Sequence, residues 1–127
     1  MKSLVLDSSV VMAVLLAEIG HEEAAGLAEG ALISAVNVAE IVTKCIEFSY
    51  PEDMALQYIH NSNMTIVDFD VGLATVAGSL RRNAGRGVLS LGDRACIALA
   101  LRENGIAVTG DRVWSTLQLG VEVRLIR

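Results

Sequence analysis

Residues 4–9 read LVLDSS: three apolar side chains run straight into a carboxylate and two hydroxyls. The apolar half has the length and character of a short buried strand. Asp7 stands where that strand would end. The next residues, SSVVMAVLLAE at 8–18, switch to helical spacing with Ser8 or Ser9 near the start. A strand feeding directly into a helix is half of a β–α–β unit. A second stretch repeats the pattern: IAVTGD at 106–111 ends in Asp111, and RVWSTLQLG at 112–120 reads as a short helix.

Three further strand candidates are LISA at 32–35, MTIVDF at 64–69 and VEVRLI at 121–126. Helical segments separate them. GHEEAAGLAEGA at 20–31 is a surface helix, and VNVAEIVTKCIEF at 36–48 sets Val38, Ile41, Val42 and Cys45 on one face. YPEDMALQYIHNS at 50–62 has Pro51 at its first turn. DVGLATVAGSLRRNAGRG at 70–87 ends in a glycine-containing turn. LSLGDRACIALALRENG at 89–105 is opened by Ser90 and closed by Gly105, and its Ala95–Leu101 run is apolar nearly all round, hence buried. Strands alternating with helices predict an α/β three-layer fold with a mostly parallel five-stranded sheet flanked by helices. The whole chain, 1–127, is expected to form one domain.

Composition narrows the class. Apolar residues make up 53% of the 127, which excludes a disordered chain, and aromatics only 4%, so the core is aliphatic. Lys2 and VVMAVLLA look faintly like a secretory signal, but Asp7 and two serines interrupt them and the apolar run is short, so a cytoplasmic protein is expected. No run reaches the ~18 apolar residues of a membrane span. Cys45 and Cys96 are too few for a disulfide framework and have no CxxC partner for a metal. The net charge of −5 argues against indiscriminate nucleic-acid binding. It is unevenly spread, however: residues 1–70 hold eleven acids and two lysines, whereas residues 71–127 hold four acids and eight arginines. Arg81, Arg82, Arg86, Arg94 and Arg112 are therefore the expected phosphate-facing region.

Four acids share one kind of position, a strand exit or a helix start: Asp7, Glu40 in NVAEI, Asp93 in SLGDRA and Asp111 in VTGDR. Each also has a structural explanation. Ser90 and Asp93 fit a capping box, Asn37 and Glu40 fit the same spacing, and Asp7 and Asp111 could cap the helices that follow. In a parallel sheet, however, strand exits share the edge where ligands bind. Carboxylates gathered there repel by about 4 kcal/mol per close pair at an effective dielectric of about 20. Hard cations relieve that repulsion, and oxygen ligands suit Mg²⁺ or Mn²⁺, which activate water and neutralise a phosphodiester. No Walker motif is present, and His21 and His60 have no nucleophile beside them.

LVLDSS, ISAVNVAEI, LSLGDRACIALA and VTGDRVW, in this order and spacing, resemble PIN-domain ribonucleases, closest to VapC-type toxins of bacterial toxin–antitoxin modules. The likeness covers essentially the whole chain. It implies a PIN fold, a Mg²⁺- or Mn²⁺-dependent endoribonuclease, a homodimer and a cognate antitoxin. Asp7, Glu40, Asp93 and Asp111 match the acidic positions, with Asp7, Asp93 and Asp111 as metal ligands. Ser8, Asn37 and Thr109 match supporting polar positions. The chain departs from some members after Asp111, where RVW replaces a further acid. Lys44, one turn after Glu40, is expected to pair with it, with substrate phosphate as the other use. Arg94 and Arg112, each directly after a site acid, are candidate substrate contacts. Lone Trp114 is expected to pack rather than to stack on a base.

Two other classes fit a small acidic α/β chain. A receiver-type signalling domain needs paired acids after its first strand and a late lysine, and here Asp7 is alone and Lys44 is the last lysine. An aspartyl-nucleophile phosphatase needs D-x-D where this chain has DSS. A PIN-fold module that only binds a partner is the remaining alternative, and the four intact acids speak against it.

Overall fold

The computed structural model describes residues 1–127. Strand β1 (Leu4–Leu6) leads into α1 (Ser8–Leu15) and α2 (His21–Ala28). Strand β2 (Leu32–Ser34) leads into α3 (Ala35–Glu47) and α4 (Met54–Asn61). Strand β3 (Thr65–Val67), α5 (Val71–Ser79) and α6 (Leu91–Arg102) follow, then β4 (Ile106–Thr109) and β5 (Glu122–Leu125). All five strands are parallel, in the order β3-β2-β1-β4-β5. The α/β class and five-strand sheet expected from the sequence are both present. The order reverses between β1 and β4, so a crevice opens beyond the carboxyl ends of those two strands. A receiver-like sheet would run 2-1-3-4-5 instead.

Alternation along each strand sends side chains to opposite layers. Leu6, Ile33 and Val108 join Val10, Val11 and Ile41 in a core under α1 and α3. Val5 and Ala107 face the other way, into a core with Leu73, Ile97, Leu99 and Trp114 under α5 and α6. Helix α6 is buried from Ala95 to Ala100, as its all-round apolar pattern requires. Trp114 is fully buried in the packing role expected for it. No helix is long and apolar enough to cross a membrane.

Several boundaries differ from the sequence expectation. Helix α4 begins at Met54, and Pro51 lies in the preceding turn, where its carbonyl accepts the Met54 N–H at 3.1 Å. Helix α5 stops at Ser79 and tightens into a 3₁₀ turn, Leu80–Asn83, so the long helix to residue 87 is not formed. RVWST at 112–116 is 3₁₀ rather than α-helical. Helix α6 is closed by Asn104 at φ 48°, not by Gly105. Gly105 serves space instead: a Cβ there would lie 2.5 Å from the Ser3 carbonyl oxygen, where β4 enters the sheet beside β1. Because that neighbour is backbone, Gly105→Ala should cost about 1–3 kcal/mol, read as a lower urea midpoint with an unchanged slope.

Candidate active site

Asp7 occupies the N-cap position of α1 without capping it: its side chain makes no bond to the helix amides. Its own N–H continues the β1–β4 ladder, donating to the Val108 carbonyl at 2.9 Å. The carboxylate is buried, and its Oδ2 accepts from Ser9 Oγ at 2.7 Å and Thr109 Oγ1 at 3.0 Å. These hydroxyls also receive the backbone beyond β4, Gly110 N–H onto Ser9 Oγ at 2.9 Å and Asp111 N–H onto Thr109 Oγ1 at 3.1 Å. They therefore fasten the exit of β1 to the exit of β4 through Asp7. Its other oxygen, Oδ1, is buried with no partner. Burial pushes the Asp7 pKa up to about 6; the two hydroxyl bonds oppose this rise, and the charges of Asp93 and Glu40 add to it.

Glu40 reaches the same edge from α3. Its Oε1 accepts from Ser8 Oγ at 3.0 Å and from Asn37 Nδ2 at 2.9 Å. Asn37 Nδ2 also donates to the Gly92 carbonyl at 3.0 Å, tying α3 to the start of α6. The cap of α3 is Ser34, which receives the Val36 N–H at 3.2 Å, so the capping role expected of Asn37 and Glu40 is not formed. At Gly92 a Cβ would overlap the Glu40 carboxylate, so glycine is what lets Glu40 lie against α6.

Asp93 and Asp111 do two jobs each. Ser90 and Asp93 form the expected capping box, with Ser90 N–H on Asp93 Oδ2 at 2.9 Å and Asp93 N–H on Ser90 Oγ at 3.1 Å. Asp111 Oδ1 caps the 3₁₀ turn through the Val113 N–H at 3.0 Å. Each still borders the cavity between the strand exits. Burial raises the Asp93 pKa, the bonds from Ser90 hold it down, and the charges of Glu40 and Asp111 raise it further.

One cavity of about 370 Å³ is lined by all four carboxylates together with Ser8 and Ser9. Met12, Leu16 and Phe48 form its apolar wall, and Glu18, Lys44 and Arg127 are its other charged groups. Thr109 contributes from behind, through Asp7. Lys44 reaches the cavity but makes no ion pair with Glu40, contrary to the expected helix pair. Arg94 turns away: its Nη1 donates to the Ala77 carbonyl of α5 at 3.2 Å. Arg112 is exposed outside the cavity lining, and Arg81 bonds the Ala84 carbonyl at 2.9 Å. Arg81, Arg82, Arg86, Arg94 and Arg112 are all absent from this cavity's lining. Sequence reasoning missed Ser9, Glu18 and Arg127. Ser9 had a signal, a hydroxyl two residues past a strand-exit acid. Arg127 had a weaker one, its place beyond the carboxyl end of a parallel strand.

The donor set suits a hard divalent cation. Asp7 Oδ1 is a buried oxygen without a partner, at a place where neighbouring carboxylates already crowd negative charge. No three His, Cys, Asp or Glu side chains stand close enough to make a ready-built centre, so an ion here would complete its shell with water.

An α/β domain with acids gathered at its switch point is thus the class that fold and site define. The family follows: a PIN domain model matches residues 4–118, and the chain belongs to the PIN domain family. This bears out the resemblance read from its motifs and removes the receiver-type alternative. None of the curated proteins compared with the chain matches it in sequence. Solved structures share its fold. A chain of a toxin–antitoxin complex from Klebsiella pneumoniae is 14% identical with TM-score 0.73, covering 98% of each chain. A chain of DNA-bound VapBC from Salmonella typhimurium is 18% identical with TM-score 0.73, covering 100% of each. One of VapBC2 from Rickettsia felis, bound to a promoter DNA fragment, is 17% identical with TM-score 0.71, covering 96% of this chain and 97% of that one.

The raised Asp7 pKa sets a pH dependence. Asp7 has an ordinary value of 3.8 and a folded value of about 6. Below roughly pH 4 both folded and unfolded chains carry the proton, and well above pH 6 neither does. Between them the unfolded chain releases it first, so rising pH lowers the stability of the metal-free protein, by roughly 3 kcal/mol across the window. Asp7→Asn should remove most of that slope in urea titrations run from pH 4 to pH 7.

Proposed function

We propose that the chain is a metal-dependent endoribonuclease toxin, held in check by a cognate antitoxin. The observation that carries this reading is the unpartnered Asp7 Oδ1 at the β1–β4 switch point, with Glu40, Asp93 and Asp111 around the same cavity. On the family resemblance Asp7, Asp93 and Asp111 are the residues that would hold Mg²⁺ or Mn²⁺, with water completing the shell because no three of them stand ready-built around one point. Such an ion, when bound, lowers the pKa of its water and offsets charge on a phosphodiester.

The chain's own groups divide the remaining work. Ser9 and Thr109 occupy Oδ2 of Asp7 and so fix the direction of Oδ1. Ser8 and Asn37 occupy Oε1 of Glu40, which leaves Oε2 as the oxygen to accept a proton from the attacking water. Gly92 keeps that carboxylate in place. Attack at phosphorus breaks one P–O bond of the RNA chain and leaves two ends.

PIN domain membership supports a nuclease, and the toxin–antitoxin and VapBC complexes among its structural neighbours support a toxin with an antitoxin partner. On the family resemblance the protein works as a homodimer in the cytoplasm. An antitoxin segment would find apolar footing at exposed Phe48, which lines the cavity. A basic side chain from it would be drawn to the carboxylates and compete with the cation.

RNA ends mapped after brief expression test the reading: new ends should appear with wild type and not with Asp7→Ala. In vitro, EDTA should abolish cleavage and Mg²⁺ or Mn²⁺ should restore it. Full activity in metal-free protein would sink the mechanism. Asp93→Asn should lower activity by at least about 100-fold, the usual scale for losing a group that acts at the reacting centre. Mn²⁺ should raise the melting temperature of wild type far more than that of Asp93→Asn.

A further inference from the structure

The cavity holds one cation whose geometry commits it to a task. Arg127 follows β5 and lays its guanidinium back over the exit of β4. Nη1 is anchored, donating to the Ile19 carbonyl at 3.2 Å and lying 3.6 Å from Glu18 Oε1. Nη2 makes no hydrogen bond and lies over Gly110, where a Cβ would stand 2.9 Å from it and 3.0 Å from Cζ. Gly110 thus makes the room in which the guanidinium rests, one residue before the site acid Asp111. The side chain lines the cavity with Asp7 and Asp111 yet makes an ion pair with neither.

A guanidinium is a fork with donors on two edges. Here one edge is spent on the segment after α1, which fixes the plane. The other, carrying Nη2, is left unpaired over Gly110 on a side chain that borders the carboxylate cavity. Nη2 has no acceptor within the protein although acids share the cavity, and an incoming phosphate oxygen is an acceptor it fits. Lysine could not serve both edges, because an ammonium is a point donor without a fixed plane. Lys44, from α3, is the cavity's other cation, and it has no such anchor.

Resting on the nuclease reading above, we propose that Arg127 is the substrate-binding residue that grips a backbone phosphate of single-stranded RNA at this site. Gly110 is its positioning residue, and the Ile19 carbonyl and Glu18 hold its anchored Nη1. The β5 exit thereby supplies the cation that the arginines of residues 81–112 were expected to supply.

The test uses the full chain with Mg²⁺ and two probes. One is a cleavable mixed-sequence RNA. The other is a 2′-O-methyl RNA of the same sequence, for binding without turnover. Arg127→Gln should weaken binding roughly tenfold, the scale of one charge-assisted hydrogen bond. It should also lower the steepness of log K against log salt by about 0.7, one single-strand phosphate contact. KM should rise more than kcat falls. Arg127→Lys should restore the salt slope without restoring the full affinity. Gly110→Ala should reproduce the Arg127→Gln pattern by crowding the guanidinium. A salt slope and KM unchanged in Arg127→Gln, while wild type cleaves RNA, would overturn the assignment. Wild type that neither binds nor cleaves any RNA with Mg²⁺ or Mn²⁺ would instead overturn the nuclease reading itself.

Discussion

A buried carboxylate held by two hydroxyls, with one oxygen left over, is the constraint around which this molecule is arranged. Asp7 cannot be neutralised by the groups that touch it, because Ser9 and Thr109 are uncharged. Nor is it relieved by distance, since Glu40 and Asp93 press their charge on it. The fold supports this cost with an aliphatic core on each face of the sheet, and it sets the cost at the one place where parallel topology opens a crevice. Strand order decides that place: β1 and β4 are adjacent, yet their connections leave in opposite directions. Moving Asp7 one residue earlier would turn it toward the α1–α3 core, by the alternation that already sends Leu6 there.

Two of the four acids show how function and folding share a residue. Asp93 closes a capping box with one oxygen, and Asp111 caps a 3₁₀ turn with one oxygen. In each, the structural bond fixes the side chain and leaves the cavity a carboxylate whose direction is already set. Capping and site membership are therefore not rival explanations for Asp93 and Asp111. For Asp7 they are rivals, and the cap is absent. For Glu40 the cap is also absent, and its place is taken by Asn37 and Ser8, which hold the carboxylate from two different helices.

How much of this was legible in the chain follows from which physics each feature obeys. Strands and helices announce themselves through periodicity, and LVLDSS and IAVTGD by themselves place two acids at strand exits. Helix ends were less legible, because Pro51 and Gly105 each suit a boundary locally while tertiary neighbours decide. Gly105 is needed for the Ser3 carbonyl, a residue about a hundred positions away, and no local pattern carries that information. The basic residues were least legible of all. Charge counting pointed to five arginines between residues 81 and 112, yet Arg94 is spent on the Ala77 carbonyl, and the cations that border the cavity are Arg127, at the far end of that basic half, and Lys44. A long side chain's direction is set by which carbonyls lie within its reach, and composition does not record that.

The distribution of cations then has a consequence for how a polyanion meets this surface. At the rim, Lys44 stands on α3 and Arg127 beyond β5, while the carboxylates of Asp7, Glu40, Asp93 and Asp111 share the cavity with them. An RNA strand approaching a pocket of net negative charge is repelled unless its phosphates are met first by positive groups. On the proposed nuclease reading, Lys44 and Arg127 would meet the strand's backbone while the scissile phosphate reaches the carboxylates. On that reading, the same acids without a divalent ion would repel the phosphate, so substrate grip and cation occupancy would be coupled through charge alone. The coupling needs no conformational change, since both occupants act through one cavity whose walls are fixed by the Ser9–Thr109 and Asn37–Gly92 bonds.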